Sequence, residues 1–265
     1  MRLETIIITP EQAEEMLAHN IINRTLNAKR VNAYVWDIKN GKWQTNGEAI
    51  KFNKKGELID GQHRLAAISK AGTPIEMCIL YDIDDDVSIF DRGRNRTVTD
   101  SLVMGGMDKS IANNNNVAIA KHYFYMTESL INVSDSQVRE FLIDNQDYLL
   151  ILSSIISKNS AKSARVSIQN ASIGLSLLTA IKQNYPVDKL ERWGEVVKTG
   201  FVNSVNEQAA IVFRNDLISG TIDLRTKPKR RIASFQAEKS IMDFIDGKVR
   251  KQSYANWKEP VYSNY

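Results

Sequence analysis

The chain has 265 residues, 43% hydrophobic and 25% charged, a balance that excludes a disordered or fibrous protein and is long enough for one large domain or two ordinary ones. Its net charge of +4 at pH 7 permits an anionic partner without requiring one. One cysteine, Cys78, excludes an internal disulfide framework and fits a reducing cytoplasm, and three scattered histidines give no zinc-like spacing. No apolar run is long enough for a signal peptide or a membrane span, so a cytoplasmic protein with no membrane partner is expected.

In chain order, Ile6-Ile7-Ile8 marks a first strand over 4–9. Thr9-Pro10-Glu11-Gln12 is a helix-start signature: a Thr cap, Pro in the first turn, and Gln three residues after the cap. That helix should end near His19 and Asn20, and a loop with Asn23, Arg24 and Thr25 follows. Asn27 is placed to cap a second helix with Val31, Tyr34, Val35 and Ile38 on one face and Gly41 as its stop. Residues 49–52 and 57–59 read as strands around a turn at 53–56. After Asp60-Gly61-Gln62-His63-Arg64, the residues Leu65-Ala66-Ala67-Ile68 have helical spacing, and Gly72 closes that helix. The run 74–83 returns as a strand so continuously apolar that cover on both faces is expected, with Cys78 in its core.

Past an acidic corner at Asp84, Asp85 and Asp86, the stretch Phe90-Asp91-Arg92-Gly93-Arg94-Asn95-Arg96-Thr97 sets three arginines about one glycine. From about residue 108 onward strand signals vanish. Ser134-Asp135-Ser136-Gln137 is a second capping box, and helices are expected over 167–182, 187–198, 206–219 and 232–245. Residues 225–231 carry five positive charges and read as a basic linker between the last two helices. The expected architecture is α+β: a small mixed domain to about residue 105, then an all-helical domain over 106–265.

Strand, Gly-containing turn and helix start are a physical recipe for an anion cradle. Unpaired N–H groups and the positive end of the helix dipole gather there, Gly61 permits close approach, and Arg64 supplies a two-pronged donor. Asp60 can cap the helix or position a magnesium-bound water, and His63 has the ordinary pKa of an acid or base near neutrality. Arg92, Arg94 and Arg96 are a costly way to stabilise a loop, since surface ion pairs contribute little, and they read better as phosphate contacts. Lys229, Arg230 and Arg231 would add salt-dependent affinity for nucleic acid, against the plainer reading of a solvated connection.

The residues Asn23-Arg24, Asp60-Gly61-Gln62-His63-Arg64 with Leu65-Ala66-Ala67, and Phe90 to Thr97 together resemble the ParB/sulfiredoxin superfamily. The likeness is to the ParB-like "DGQHR" proteins of bacteriophages and mobile elements, and it covers roughly the first hundred residues. It implies a ParB/sulfiredoxin-like N-terminal fold, a nucleoside triphosphate (CTP or ATP) with Mg²⁺ as ligand, DNA as a partner, and homo-oligomers in a host cytoplasm. Carried onto this chain, Gly61, Gln62, His63 and Arg64 contact phosphates, with Asn23 and Arg24 on the facing loop. His63 and Asp60 are then the catalytic candidates, with Asp60 the one metal-ligand candidate. Two departures limit the transfer. Gln62 stands where sulfiredoxin has its reactive cysteine, so reductase chemistry is not implied, and no DNA-reading helix-turn-helix follows the motif. The expected function is binding of nucleotide or nucleic-acid phosphates at this loop, acting on or at DNA, with NTPase activity open. The alternatives are a metal-dependent DNA nuclease and a regulator of a host protein with a vestigial nucleotide site.

Overall fold

A computed structural model describes residues 1–21, 23, 25–45, 47–84, 97–130, 132–158 and 166–261. It is a mixed α and β protein, predominantly helical, with one four-stranded sheet and eleven α-helices among the described residues. Two compact units divide the chain: residues 1–95 with 132–137, and residues 96–131 with 138–265.

The first unit opens with β1, Arg2–Ile8. The chain then turns into α1, Pro10–Ala18, where the Thr9 hydroxyl accepts from the Gln12 N–H at 3.2 Å and the Gln12 side chain accepts from the Thr9 N–H at 2.9 Å. This reciprocal box satisfies two of the donors that a helix start leaves without partners. Helix α2, Ala28–Lys39, begins the same way, with Asn27 Oδ1 accepting from the N–H groups of Lys29 and Arg30. The hairpin β2, Ile50–Asn53, and β3, Leu58–Asp60, turns on Asn53, whose Oδ1 accepts from the N–H groups of Lys55 and Glu57. Then come α3, Gln62–Ala71, and β4, Ile75–Ile83.

The sheet order is β1-β4-β2-β3. β1 and β4 are antiparallel, with Ile6 opposite Met77, and β2 runs parallel to β4, with Ile50 opposite Ile79. A parallel neighbour needs a crossover, and β3 with α3 supplies it. Helices α1 and α2 both pack on α3, and the core lies where Val31, Leu65 and Ile68 meet Ile8, Ile50, Met77 and Ile79. These helices cover one face only. On the other face Leu3 and Ile7 are each 63% exposed, and Cys78 is only partly buried, with its Sγ 3.6 Å from Thr5 Oγ1. The expectation that β4 is covered on both faces, with Cys78 in the core, is therefore corrected. An apolar run does not say how many layers lie against it.

The second unit is helical. Its first two helices are α4, Val98–Met104, and α5, Asn114–Glu128. Helix α6, Asp135–Asp144, begins in the 132–137 segment of the first unit and continues in the second, and α7, Gln146–Lys158, comes next. Helix α8, Ala171–Lys182, is buried at every position from Ser172 to Ile181 and packs against α5, α7 and the last helix, α11. Gly174 permits the close approach of α5, since a Cβ there would sit 2.6 Å from Ile119 Cδ1. Between them run α9, Val187–Thr199, a 3₁₀ turn at Val205–Glu207, and α10, Gln208–Ile218. Helix α11 spans Lys227–Ile245, so most of the basic stretch expected as a linker is the first turn of a helix that begins five residues early. Cations at a helix N-terminus oppose its dipole. Here Asp223 offsets them, accepting from both Arg225 and Lys229.

Candidate phosphate site at the Asp60–Arg64 turn

Strand β3 ends at Asp60, and the chain reverses into α3 through Gly61, which has φ +105°. Only glycine fits there. A Cβ would lie 2.5 Å from Ile50 Cδ1 and 3.1 Å from Ile50 Cα, in a backbone region that L side chains rarely adopt. The Gly61 carbonyl accepts from the N–H groups of Arg64 and Leu65, at 2.9 and 3.1 Å, which starts the helix. Gly61 offers no side-chain cap, and the first turn of α3 carries no acidic residue. Asp60 does not cap α3. Its Oδ1 accepts from the Gly61 N–H at 2.7 Å, and its half-exposed carboxylate lies 3.4 Å from Lys51 Nζ and 3.6 Å from Arg64 Nη2.

The next three side chains turn inward. Gln62 is buried, and its Oε1 accepts from Asn20 Nδ2 at 3.0 Å. Asn20 Oδ1 in turn accepts from Asn23 Nδ2 at 2.7 Å, and Asn23 also donates to the Leu58 carbonyl. His63 is 8% exposed, and its Nε2 accepts from the Asn27 N–H at 2.9 Å. A ring nitrogen that accepts carries no proton, so His63 is the neutral Nδ1–H tautomer and ties the start of α2 to the start of α3. Arg64, its side chain 12% exposed, donates through Nη2 to the Ala49 carbonyl at 2.8 Å and through Nη1 to Glu48 Oε2 at 3.2 Å. Its Nε is buried without a hydrogen-bond partner.

Of the residues singled out from the sequence, the structure thus brings together Asp60, Gly61, Gln62, His63, Arg64 and Asn23. Arg24, Arg92, Arg94 and Arg96 lie outside the described residues. Lys229, Arg230 and Arg231 belong to the second unit, where Lys229 pairs with Asp223 at 2.7 Å, Arg230 Nε donates to the Leu224 carbonyl at 2.6 Å, and Arg231 is exposed. Among the described residues no group of three or more His, Cys, Asp or Glu side chains is placed to hold a metal ion. Sequence reasoning missed Asn20 and the Ala49 carbonyl. Asn20 carried one signal, a position just past the end of an amphipathic helix; a backbone carbonyl carries none.

The turn combines an uncapped helix start, a glycine that lets the backbone approach a ligand, and an arginine held in place by its own chain. Such an arrangement can receive an oxyanion that displaces the carboxylates now paired with Arg64. No protein-family model, curated protein or solved structure matches the chain.

Proposed function

We propose that the chain binds phosphate groups of a nucleotide or a nucleic acid at the Asp60–Arg64 turn, in the manner of ParB/sulfiredoxin-like proteins. The observation that carries this reading is the start of α3. A positive-φ glycine with no room for a side chain opens a helix whose first turn has neither a side-chain cap nor an acidic residue, and Arg64 stands beside it. Phosphate oxygens would meet the positive end of the α3 dipole and the fork of Arg64. The contacts of Arg64 to Glu48 and Asp60, at 3.2 and 3.6 Å, are the ones a phosphate would displace, while the 2.8 Å bond to the Ala49 carbonyl holds the guanidinium in place. His63 positions the turn through Nε2 and keeps its proton on Nδ1. The carboxylates of Asp60 and Glu48 are both tied to Arg64. Magnesium would therefore arrive with the phosphates whose charge it neutralises.

The test is thermal unfolding of the full chain with CTP, ATP, GTP or DNA, with and without Mg²⁺. At ligand concentrations about a hundredfold above Kd, binding to the folded chain alone adds about 2.7 kcal/mol of stability, a rise of several degrees in Tm. Arg64→Lys keeps the charge and loses the fork, so it should remove most of that rise, measured from the variant's own unliganded Tm. If none of these ligands moves the Tm of the wild-type chain, the proposal is wrong.

A further inference from the structure

The second unit contains a cleft of about 560 Å³ between the approach to α8, the end of α10 and residues 220–225. That volume lies within the range of small-ligand sites. Four of its lining residues are apolar: Val166 and Ile222 are buried, and Leu217 and Leu224 are half-buried. Asp223 and Arg225 also line it, and Asp223 joins Arg225 to Lys229, which lies outside the lining. Asp223 accepts from the Arg225 N–H at 2.9 Å, from Arg225 Nε and Nη2 at 3.0 and 2.8 Å, and from Lys229 Nζ at 2.7 Å. Two cations share one anion, so the trio keeps a net positive charge, and the cations are the accessible part: Arg225 is 83% exposed, Lys229 54% and Asp223 13%. Hydrogen bonds to these two cations hold the Asp223 carboxyl well below the usual carboxylate range, so it stays ionised and keeps both in place.

Two amides, Gln169 and Asn170, also line the cleft. Asn170 uses Oδ1 to cap α8, accepting from the Ser172 N–H at 2.9 Å, which directs its NH₂ group elsewhere, and Gln169 stands beside it. The wall is already fixed. The Ile222 N–H donates to the Asp216 carbonyl at 3.0 Å, and Arg230 Nε donates to the Leu224 carbonyl at 2.6 Å.

We infer that this cleft takes one nucleoside phosphate, with the base on its apolar lining, the base edge on the amides of Gln169 and Asn170, and the phosphate on Arg225, whose neighbour Lys229 adds positive charge. Amide side chains match the paired donor and acceptor of a base edge, and a guanidinium beside an ammonium matches a phosphate. The ligand is either a free nucleotide or one unit of a single strand, since both present the same group. The inference rests on the phosphate-binding reading for its class of ligand, but it uses residues of a different unit.

The experiment is calorimetric titration of the folded full chain with inorganic phosphate, with each nucleoside monophosphate, and with a ten-nucleotide single strand. It is repeated on Arg225→Gln, Leu224→Gln and Arg64→Lys, with circular dichroism to check folding. A nucleoside monophosphate or the strand should bind more tightly than inorganic phosphate. Arg225→Gln should weaken that binding about tenfold, the effect of losing a charge-assisted bidentate contact. Leu224→Gln should weaken the nucleoside phosphate and leave inorganic phosphate unchanged. Binding by the strand alone, with a steep salt dependence, identifies nucleic acid as the source, and binding by the monophosphate identifies a free nucleotide. If binding is lost in Arg64→Lys and untouched in Arg225→Gln and Leu224→Gln, the cleft is overturned while the turn at Asp60–Arg64 stands. The reverse pattern overturns the turn and upholds the cleft. No binding by any of the three ligands overturns the cleft outright.

Discussion

Acid should weaken the helical unit through one buried side chain, His122. It lies on α5 with its Nε2 2.8 Å from Ser234 Oγ of α11, and Ser234 Oγ is within reach of the carbonyls of Ser172 and Arg230. Burial pushes its pKa down from 6.5 to about 4, and the positive charges of Arg230 and Lys227 push the same way. The unfolded chain therefore takes up this proton near pH 6.5, whereas the folded chain resists it until about pH 4. The stability contribution is complete above pH 6.5 and falls away between 6.5 and 4. A difference of about 2.5 units corresponds to roughly 3.4 kcal/mol at full development, of which about 2.5 kcal/mol is lost between pH 7.5 and 4.5. Other carboxylates titrate over the same range, so the measurement is a difference. Chemical denaturation of wild type and His122→Gln, at both pH values, isolates the term, because glutamine is neutral throughout and can keep a partner in Ser234. The wild type should lose about 2.5 kcal/mol more than the variant. Equal losses in the two proteins would refute the burial argument.

Gly61→Ala should cost about 2–3 kcal/mol in denaturant titration, since a Cβ must clear Ile50 in a conformation reserved for glycine. His63→Phe keeps the packing but leaves the Asn27 N–H without its acceptor, a loss of about 1–3 kcal/mol, and His63→Gln should restore part of it. Both changes can be read from thermal unfolding. Gly174→Ala forces Ile119 to move, at about 1–3 kcal/mol, and Ile119→Val in the same chain should cost less than the sum of the separate substitutions. Strict additivity would show that α5 and α8 do not meet as closely as described.

Local chemistry made much of this fold legible. The caps at Thr9 and Asn27, and the reciprocal box of Ser134 and Gln137, are settled within four residues, so a reader of the sequence meets both partners together. Glycine at 61 was likewise readable as a turn before a helix. What was hidden depends on distant pairings. Nothing near His63 announces that it will serve the N–H of Asn27, 36 residues away, or that Arg64 will fasten onto the Ala49 carbonyl. The basic run at 225–231 reads as a linker, and the carboxylate that offsets its charges at the helix start, Asp223, lies just outside the run. The open face of β4 was concealed for a related reason. Leu80 and Cys78 are apolar whether or not a layer covers them.

The inward-facing bonds of the turn have a mechanical meaning. The loop between α1 and α2 is stitched to β3 and α3 at four places: His19 to Leu58, Asn20 to Gln62, Asn23 to Leu58, and Asn27 to His63. Segments some forty positions apart in the chain thus move as one piece, like two edges of cloth joined by a seam. A ligand that stiffens the start of α3 also stiffens the entry to α2, although it touches nothing there. A fault at any of these bonds loosens the turn from behind, so Asn20, Asn23 and Asn27 share in whatever the turn does.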